Sequence, residues 1–182
     1  PTLGGSYKTP VAIACARALA DRGLRVAFVA HGYGARLPET PRVAMRNDAP
    51  RLVGDETLLA ERALRPLGVP VVVSPAWKAS VEFAAEHGDV LVLDSPPPLE
   101  RSERAVEILA VAAAEPWGSG VLVPRGDLTE PPSVLLARCE EVVSVAFSGE
   151  SRIELNANCK QTTARAELEP CARVVTPQGF EP

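Results

Sequence analysis

Aromatic residues are scarce in this 182-residue chain: Phe, Tyr and Trp together make 4%, within a hydrophobic content of 46%. A core so poor in rings has to be assembled from Ala, Val and Leu, which suits parallel strands covered by helices. Histidine occurs twice, and the four cysteines (Cys15, Cys139, Cys159 and Cys171) form no CxxC pair. That spacing argues against a zinc site and fits scattered buried thiols in a reducing compartment. Basic residues are not in surplus: 19 Lys and Arg face 23 Asp and Glu, a net charge of -4, which argues against a nucleic-acid partner. No run of roughly 18 apolar residues is present, so no segment reads as a bilayer span, and no signal peptide is visible. The length allows one ordinary domain, or one domain with a fragment of another.

What the chain does have is an alternation of helical and strand-like segments punctuated by glycine and by 18 prolines. Helices are predicted over Val11–Asp21, Thr57–Leu67, Lys78–His87 and Val134–Cys139, several of them stopped by a glycine such as Gly23, Gly68 or Gly88. Strands are predicted over Val26–Ala30, Val71–Val73, Val90–Leu93, Ala105–Val111, Val121–Val123 and Val142–Phe147. Residues 35–53, with Pro38, Pro41 and Pro50, read as an irregular exposed connection, and Ser95–Glu100 as a proline-rich loop. The alternation predicts an α/β fold with a mostly parallel sheet and right-handed crossovers. From Ser148 the pattern changes, with strand-like Arg152–Leu155 and Arg173–Val175. A domain over residues 1–147, followed by the start of a second small subdomain over 148–182, is therefore expected. The opening Pro1-Thr2-Leu3-Gly4-Gly5 suggests that a strand precedes the glycine loop upstream.

The segment Gly4-Gly5-Ser6-Tyr7-Lys8-Thr9-Pro10 carries the strongest chemical signal. A phosphate cradle needs backbone N–H groups unobstructed by side chains, a lysine for the outer phosphates, and a hydroxyl for Mg²⁺. Lys8 and Thr9 fit the last two roles at the mouth of a helix, although Tyr7 and Thr2 stand where a phosphate loop has glycine. A plain glycine turn before a helix with a solvated lysine is the competing reading. Asp94 ends an apolar strand, where an acid contacts Mg²⁺ in P-loop folds or caps a turn. Asp55 and Glu56 open a helix, which the helix dipole favours on its own; the functional reading is a general base for a hydroxyl attacking a γ-phosphate. His31 lies in a glycine-rich corner after a strand and is a candidate site-lining residue. His87 stands at a helix end, where a cation-capable residue is expected anyway.

In order along the chain, Gly4–Pro10, Gly32-Tyr33-Gly34 and Val53-Gly54-Asp55-Glu56 resemble the motifs of the tetraacyldisaccharide 4'-kinase family. Pro116-Trp117-Gly118-Ser119-Gly120, Leu122, Pro124, Gly126, Leu128, Glu130 and Pro131 are similar to a further stretch of the same family. The resemblance covers roughly residues 1–147 and implies a P-loop NTPase-like fold. The implied activity is transfer of the γ-phosphate of ATP, with Mg²⁺, to the 4'-hydroxyl of a lipid A disaccharide precursor at the cytoplasmic face of the bacterial inner membrane. A cytoplasmic location follows instead if the family's N-terminal membrane-associating helix is truly absent. Carried over, Gly4, Gly5, Ser6, Tyr7, Lys8 and Thr9 form the nucleotide loop, with Lys8 on the β- and γ-phosphates. Thr9 and Asp94 are implied at the metal. Asp55 is the implied base and Glu56 its neighbour. The chain departs from the family where Tyr7 replaces Gly, His31 replaces Arg and Thr129 replaces Arg, and where Asp94-Ser95-Pro96-Pro97-Pro98 replaces Asp-Asp-Gly-x-Gln-His. These departures keep open a catalytically degenerate relative acting as a nucleotide- or lipid-binding module. A P-loop ATPase or GTPase of unrelated use is a third reading, separable by its lack of lipid binding. The oligomeric state is not legible.

Overall fold

A computed structural model describes residues 1–32, 34–37, 40–96, 105–147, 150, 155, 159–166, 174–176 and 179–181. The described residues form two compact units, one comprising Tyr7–Glu107 and the other Pro1–Ser6 with Ile108–Pro182.

The first unit is a four-stranded sheet with helices on both faces. Its elements are α1 (Lys8–Ala20), β1 (Val26–Ala30), β2 (Arg42–Val43), α2 (Pro50–Val53), α3 (Asp55–Leu64), β3 (Val71–Val73), α4 (Trp77–Ala85) and β4 (Val90–Leu93). The sheet order is β2-β3-β1-β4. β1 is parallel to β3, with Phe28 opposite Val71, and parallel to β4, with Val26 opposite Val90. β2 is antiparallel to β3. The period of two along β1 splits its side chains between two cores. Val26, Phe28 and Ala30 pack with Ile13 and Ala16 of α1 and Leu58 and Leu64 of α3. Ala27 and Val29 pack with Val72 and Ala84 of α4. β1 and β3 are buried along their whole length, whereas β4, at the sheet edge, is half-buried. Gly88 is dictated by close approach: a Cβ there would lie 2.6 Å from the backbone nitrogen of Ala27.

The second unit holds β5 (Ile108–Ala112), α5 (Pro132–Arg138), β6 (Glu141–Ala146) and β7 (Lys160–Arg165), with a hairpin of β8 (Val174–Thr176) and β9 (Gly179–Glu181). β5, β6 and β7 form an all-parallel sheet. Leu109, Val111, Leu128, Leu135, Cys139 and Val142 make its core. The chain start belongs to this unit: Leu3 N–H donates to Asp127 O at 2.9 Å, and Thr129 N–H to Pro1 O at 2.9 Å.

The structure corrects several expected elements. The segment predicted as one helix over Thr57–Leu67 is α3 followed by a 3₁₀ turn over Arg65–Leu67, because Pro66 offers no N–H to continue an α-helix. Val121–Val123 is not a strand. Leu122 makes a single bridge to Leu128, and all three side chains are exposed, so no buried face stabilises an extended ladder. Within 35–53, expected to be irregular, lie the short β2 and α2. The parallel strands fall into two sheets rather than one. Tyr33, Pro38, Pro97–Glu100, Arg152–Glu154, Cys171 and Arg173 lie outside the described residues.

Candidate functional site

The N-terminus of α1 and the C-terminal ends of β1 and β4 converge on one group of side chains. Asp94 N–H donates to Val29 O at 2.9 Å, which aligns the end of β4 beside the end of β1. Thr9, on the first turn of α1, is buried, as is Asp94. Thr9 Oγ1–H donates to Asp94 Oδ2 at 2.7 Å, and Ser95 Oγ–H donates to Asp94 Oδ1 at 3.1 Å. Lys8 precedes Thr9 and is half-buried. Burial pulls the Lys8 ammonium below its ordinary pKa, while Asp94 and Glu56 oppose that shift.

Asp55 and Glu56 are the first two residues of α3. Glu56 N–H donates to Asp55 Oδ1 at 3.0 Å, which orients that carboxylate at the helix start. Glu56 still touches water, yet crowding by protein raises its pKa. Repulsion from Asp94 and Asp55 adds to the rise, and Lys8 and His31 oppose it. The candidate residues Lys8, Thr9, Asp55, Glu56 and Asp94 thus sit within one electrostatic neighbourhood of the first unit.

The backbone of the glycine loop has its own logic. Gly5 adopts φ +73°, and a Cβ at Gly4 or Gly5 would meet no protein atom within 4 Å. Tyr7 takes φ 56°, ψ 27°, a left-handed conformation immediately before α1. Glycine adopts it freely and an L residue at a cost of about 1–2 kcal/mol. Tyr7 therefore holds under strain a conformation that glycine would adopt freely. The N-terminus of α1 has neither a side-chain cap nor an acid in its first turn, so the positive end of its dipole is not neutralised by either. The Ser6 hydroxyl is buried and has no hydrogen-bond partner.

Trp77 was not singled out from the sequence. It opens α4 after β3 and stacks on His31, with ring centroids 5.8 Å apart and planes 12° from parallel. A tryptophan just past a strand of a parallel sheet, in a chain this poor in rings, was the available signal. His87 is structural: its Nδ1 lies 3.0 Å from Phe83 O in the last turn of α4. A cavity of about 370 Å³, lined by Met45, Arg46, Glu61 and Arg65 among others, contains none of the candidate residues. Thr129 donates its hydroxyl to Pro1 O at 2.6 Å. Among the described residues no group of three or more His, Cys, Asp and Glu side chains could hold a metal, and no helix is long and apolar enough to cross a membrane.

A glycine loop feeding an uncapped helix N-terminus, with a lysine, a threonine and a strand-terminal aspartate gathered around it on parallel strands, defines a P-loop-type α/β protein. A sequence model of the family described as tetraacyldisaccharide-1-P 4'-kinase matches residues 1–180. The tetraacyldisaccharide 4'-kinase of Chromobacterium violaceum is 39% identical over 151 residues, covering 81% of this chain and 42% of that protein. That of Anaeromyxobacter dehalogenans is 36% identical over 177 residues, covering 92% of this chain and 46% of that protein. A crystal structure of the apo form of LpxK from Aquifex aeolicus in complex with ATP superposes with a TM-score of 0.71 at 21% identity, covering 89% of this chain and 50% of that one. The chain belongs to the tetraacyldisaccharide 4'-kinase family, and it spans less than half the length of these curated relatives.

Proposed function

We propose that this chain supplies the nucleotide-binding portion of an ATP-dependent kinase. The acceptor is the 4'-hydroxyl of a tetraacyldisaccharide 1-phosphate lipid A precursor, presented at the cytoplasmic face of the inner membrane. The observation that carries this reading is the 2.7 Å contact between Thr9 and Asp94 beside Lys8 at the start of α1. A hydroxyl and a carboxylate are hard oxygen donors that fit Mg²⁺, which takes few protein ligands and completes its shell with water and phosphate oxygens. When bound, Mg²⁺ supplies charge neutralisation on the phosphates.

In this reading Gly4, Gly5, Ser6 and Tyr7 lend backbone N–H groups to the phosphates, and Lys8 pairs with the β/γ-phosphates. Burial disfavours the Lys8 ammonium, a desolvation cost that phosphate charge would offset. Asp55 takes the proton of the attacking hydroxyl. Glu56 stands beside it as a second carboxylate, whose pKa is raised by burial and by repulsion from Asp94 and Asp55. The residues invoked here lie within 1–147, the proposed nucleotide-binding domain, and 148–182 is proposed to begin the subdomain that follows.

A degenerate, non-catalytic binding module is the second reading. It is favoured by Ser95, which stands at φ 56° where the family has its second acid and spends its hydroxyl on Asp94. Calorimetric titration of the chain with Mg-ATP separates the two, with Lys8→Ala as control. Binding that disappears in Lys8→Ala supports the phosphate loop, and phosphotransfer to the lipid A precursor by the intact protein then tests catalysis. Equal affinity of both proteins would sink the assignment of Lys8, and binding without phosphotransfer would leave the module reading standing.

A further inference from the structure

Outside the nucleotide site, two thiols of the second unit face each other. Cys139 caps the C-terminus of α5 and is buried in the core with Leu135 and Val142. Cys159 immediately precedes β7 and packs half-buried against the same cluster. Their Sγ atoms lie 3.6 Å apart across 20 positions of sequence. The pairing of β6 with β7 sets this approach. Glu141 stands opposite Lys160, and Lys160 N–H donates to Glu140 O at 3.3 Å, which fixes Cys159 beside the residue that follows Cys139. Cys139 Sγ also lies 3.7 Å from Leu136 O in the last turn of α5. A disulfide needs the sulphurs to close from 3.6 Å to about 2.05 Å.

We propose that Cys139 and Cys159 are a modification site, a dithiol pair oxidised to an internal disulfide by a low-molecular-weight disulfide such as oxidised glutathione. Cys159, the more accessible thiol, loses its proton to solvent and attacks one sulphur of the oxidant. This forms a mixed disulfide and releases one glutathione thiolate. Cys139 then attacks the Cys159 sulphur, its proton passing to the departing second glutathione thiolate. Two protein thiols are oxidised and one oxidant disulfide is reduced to two thiols. The product ties the end of α5 to the start of β7 and removes freedom from the unfolded chain, so the unfolding midpoint of the oxidised protein rises by roughly 5 °C or more.

The test is equilibration of the chain in glutathione redox buffer, thiol alkylation, and peptide mapping by mass spectrometry. The expected result is loss of two alkylatable thiols, a peptide cross-linked between Cys139 and Cys159, and a midpoint rise reversed by dithiothreitol. A Cys15→Ser/Cys171→Ser variant retains all three signatures. Cys139→Ala halts at a glutathione adduct on Cys159, a readout that stands even if Cys159→Ser folds poorly. A stable glutathione adduct on Cys159 of the unaltered chain, or a cross-link to Cys15 or Cys171 in its place, would overturn the proposal.

Discussion

At the scale of the residue, the site is a balance between burial and charge. Lys8 is disfavoured as a cation by its surroundings, so a folded pKa below the ordinary lysine value means that protonation of Lys8 opposes folding. Its contribution to stability grows as pH rises through the lowered pKa toward the ordinary one, and it is a penalty at neutral pH. Lys8→Met therefore leaves the unfolding midpoint at pH 7 unchanged or raises it, while Mg-ATP affinity falls at least tenfold. A lowered midpoint in a thermal scan would show that Lys8 is a structural cation. Tyr7 carries the opposite kind of cost, a left-handed backbone. Tyr7→Gly relieves that strain at the expense of a more flexible unfolded chain, so the net gain is at most about 1 kcal/mol, with tighter Mg-ATP binding by calorimetry. Weaker binding would make the tyrosine ring a working part of the site. Lys8, Thr9, Asp55, Glu56 and Asp94 could be picked out from motif order alone. The stack of His31 on Trp77 could not, because it joins the ends of two strands separated by more than forty residues of chain.

At the scale of the element, the departures from the sequence reading have local causes. α3 stops short of Leu67 because of Pro66, and it starts at Asp55 because acids at the first turn complement the helix dipole. The short β2 would be marginal on its own, at two residues. It is held by Arg42, whose guanidinium donates to both oxygens of Asp48 at 2.9 Å, and Met45 N–H donates to the same carboxylate at 2.7 Å. The Arg42 hydrogen bond keeps the Asp48 pKa below its ordinary value. The stability this provides is present above the ordinary carboxylate pKa and is lost as pH falls through the depressed one. Asp48→Asn should thus cost roughly 1–2 kcal/mol at pH 7 and flatten the acid limb of the stability curve measured by urea unfolding across pH. An acid limb identical to that of the parent chain would place the acid sensitivity elsewhere.

At the scale of the whole molecule, stability rests on three separate cores of mostly small aliphatic side chains. Phe28 is the largest fully buried side chain among the described residues, and in so ring-poor a core its removal leaves a void that valines and alanines cannot fill. Phe28→Ala is expected to cost roughly 3–5 kcal/mol in urea unfolding followed by circular dichroism; a loss under about 1 kcal/mol would mean that β1 is not the centre of its unit. The sequence by itself determined the strands Val26–Ala30, Val71–Val73 and Val90–Leu93, the α/β class and the family motifs, because each is written in a local run of residues or in a motif of fixed spacing. Only the tertiary structure decided that the parallel strands divide between two sheets, that Thr9 bonds Asp94, that Trp77 meets His31, and that Cys139 faces Cys159. Those pairings depend on strand order and register, which non-local hydrogen bonds and packing select and which no stretch of neighbouring residues encodes.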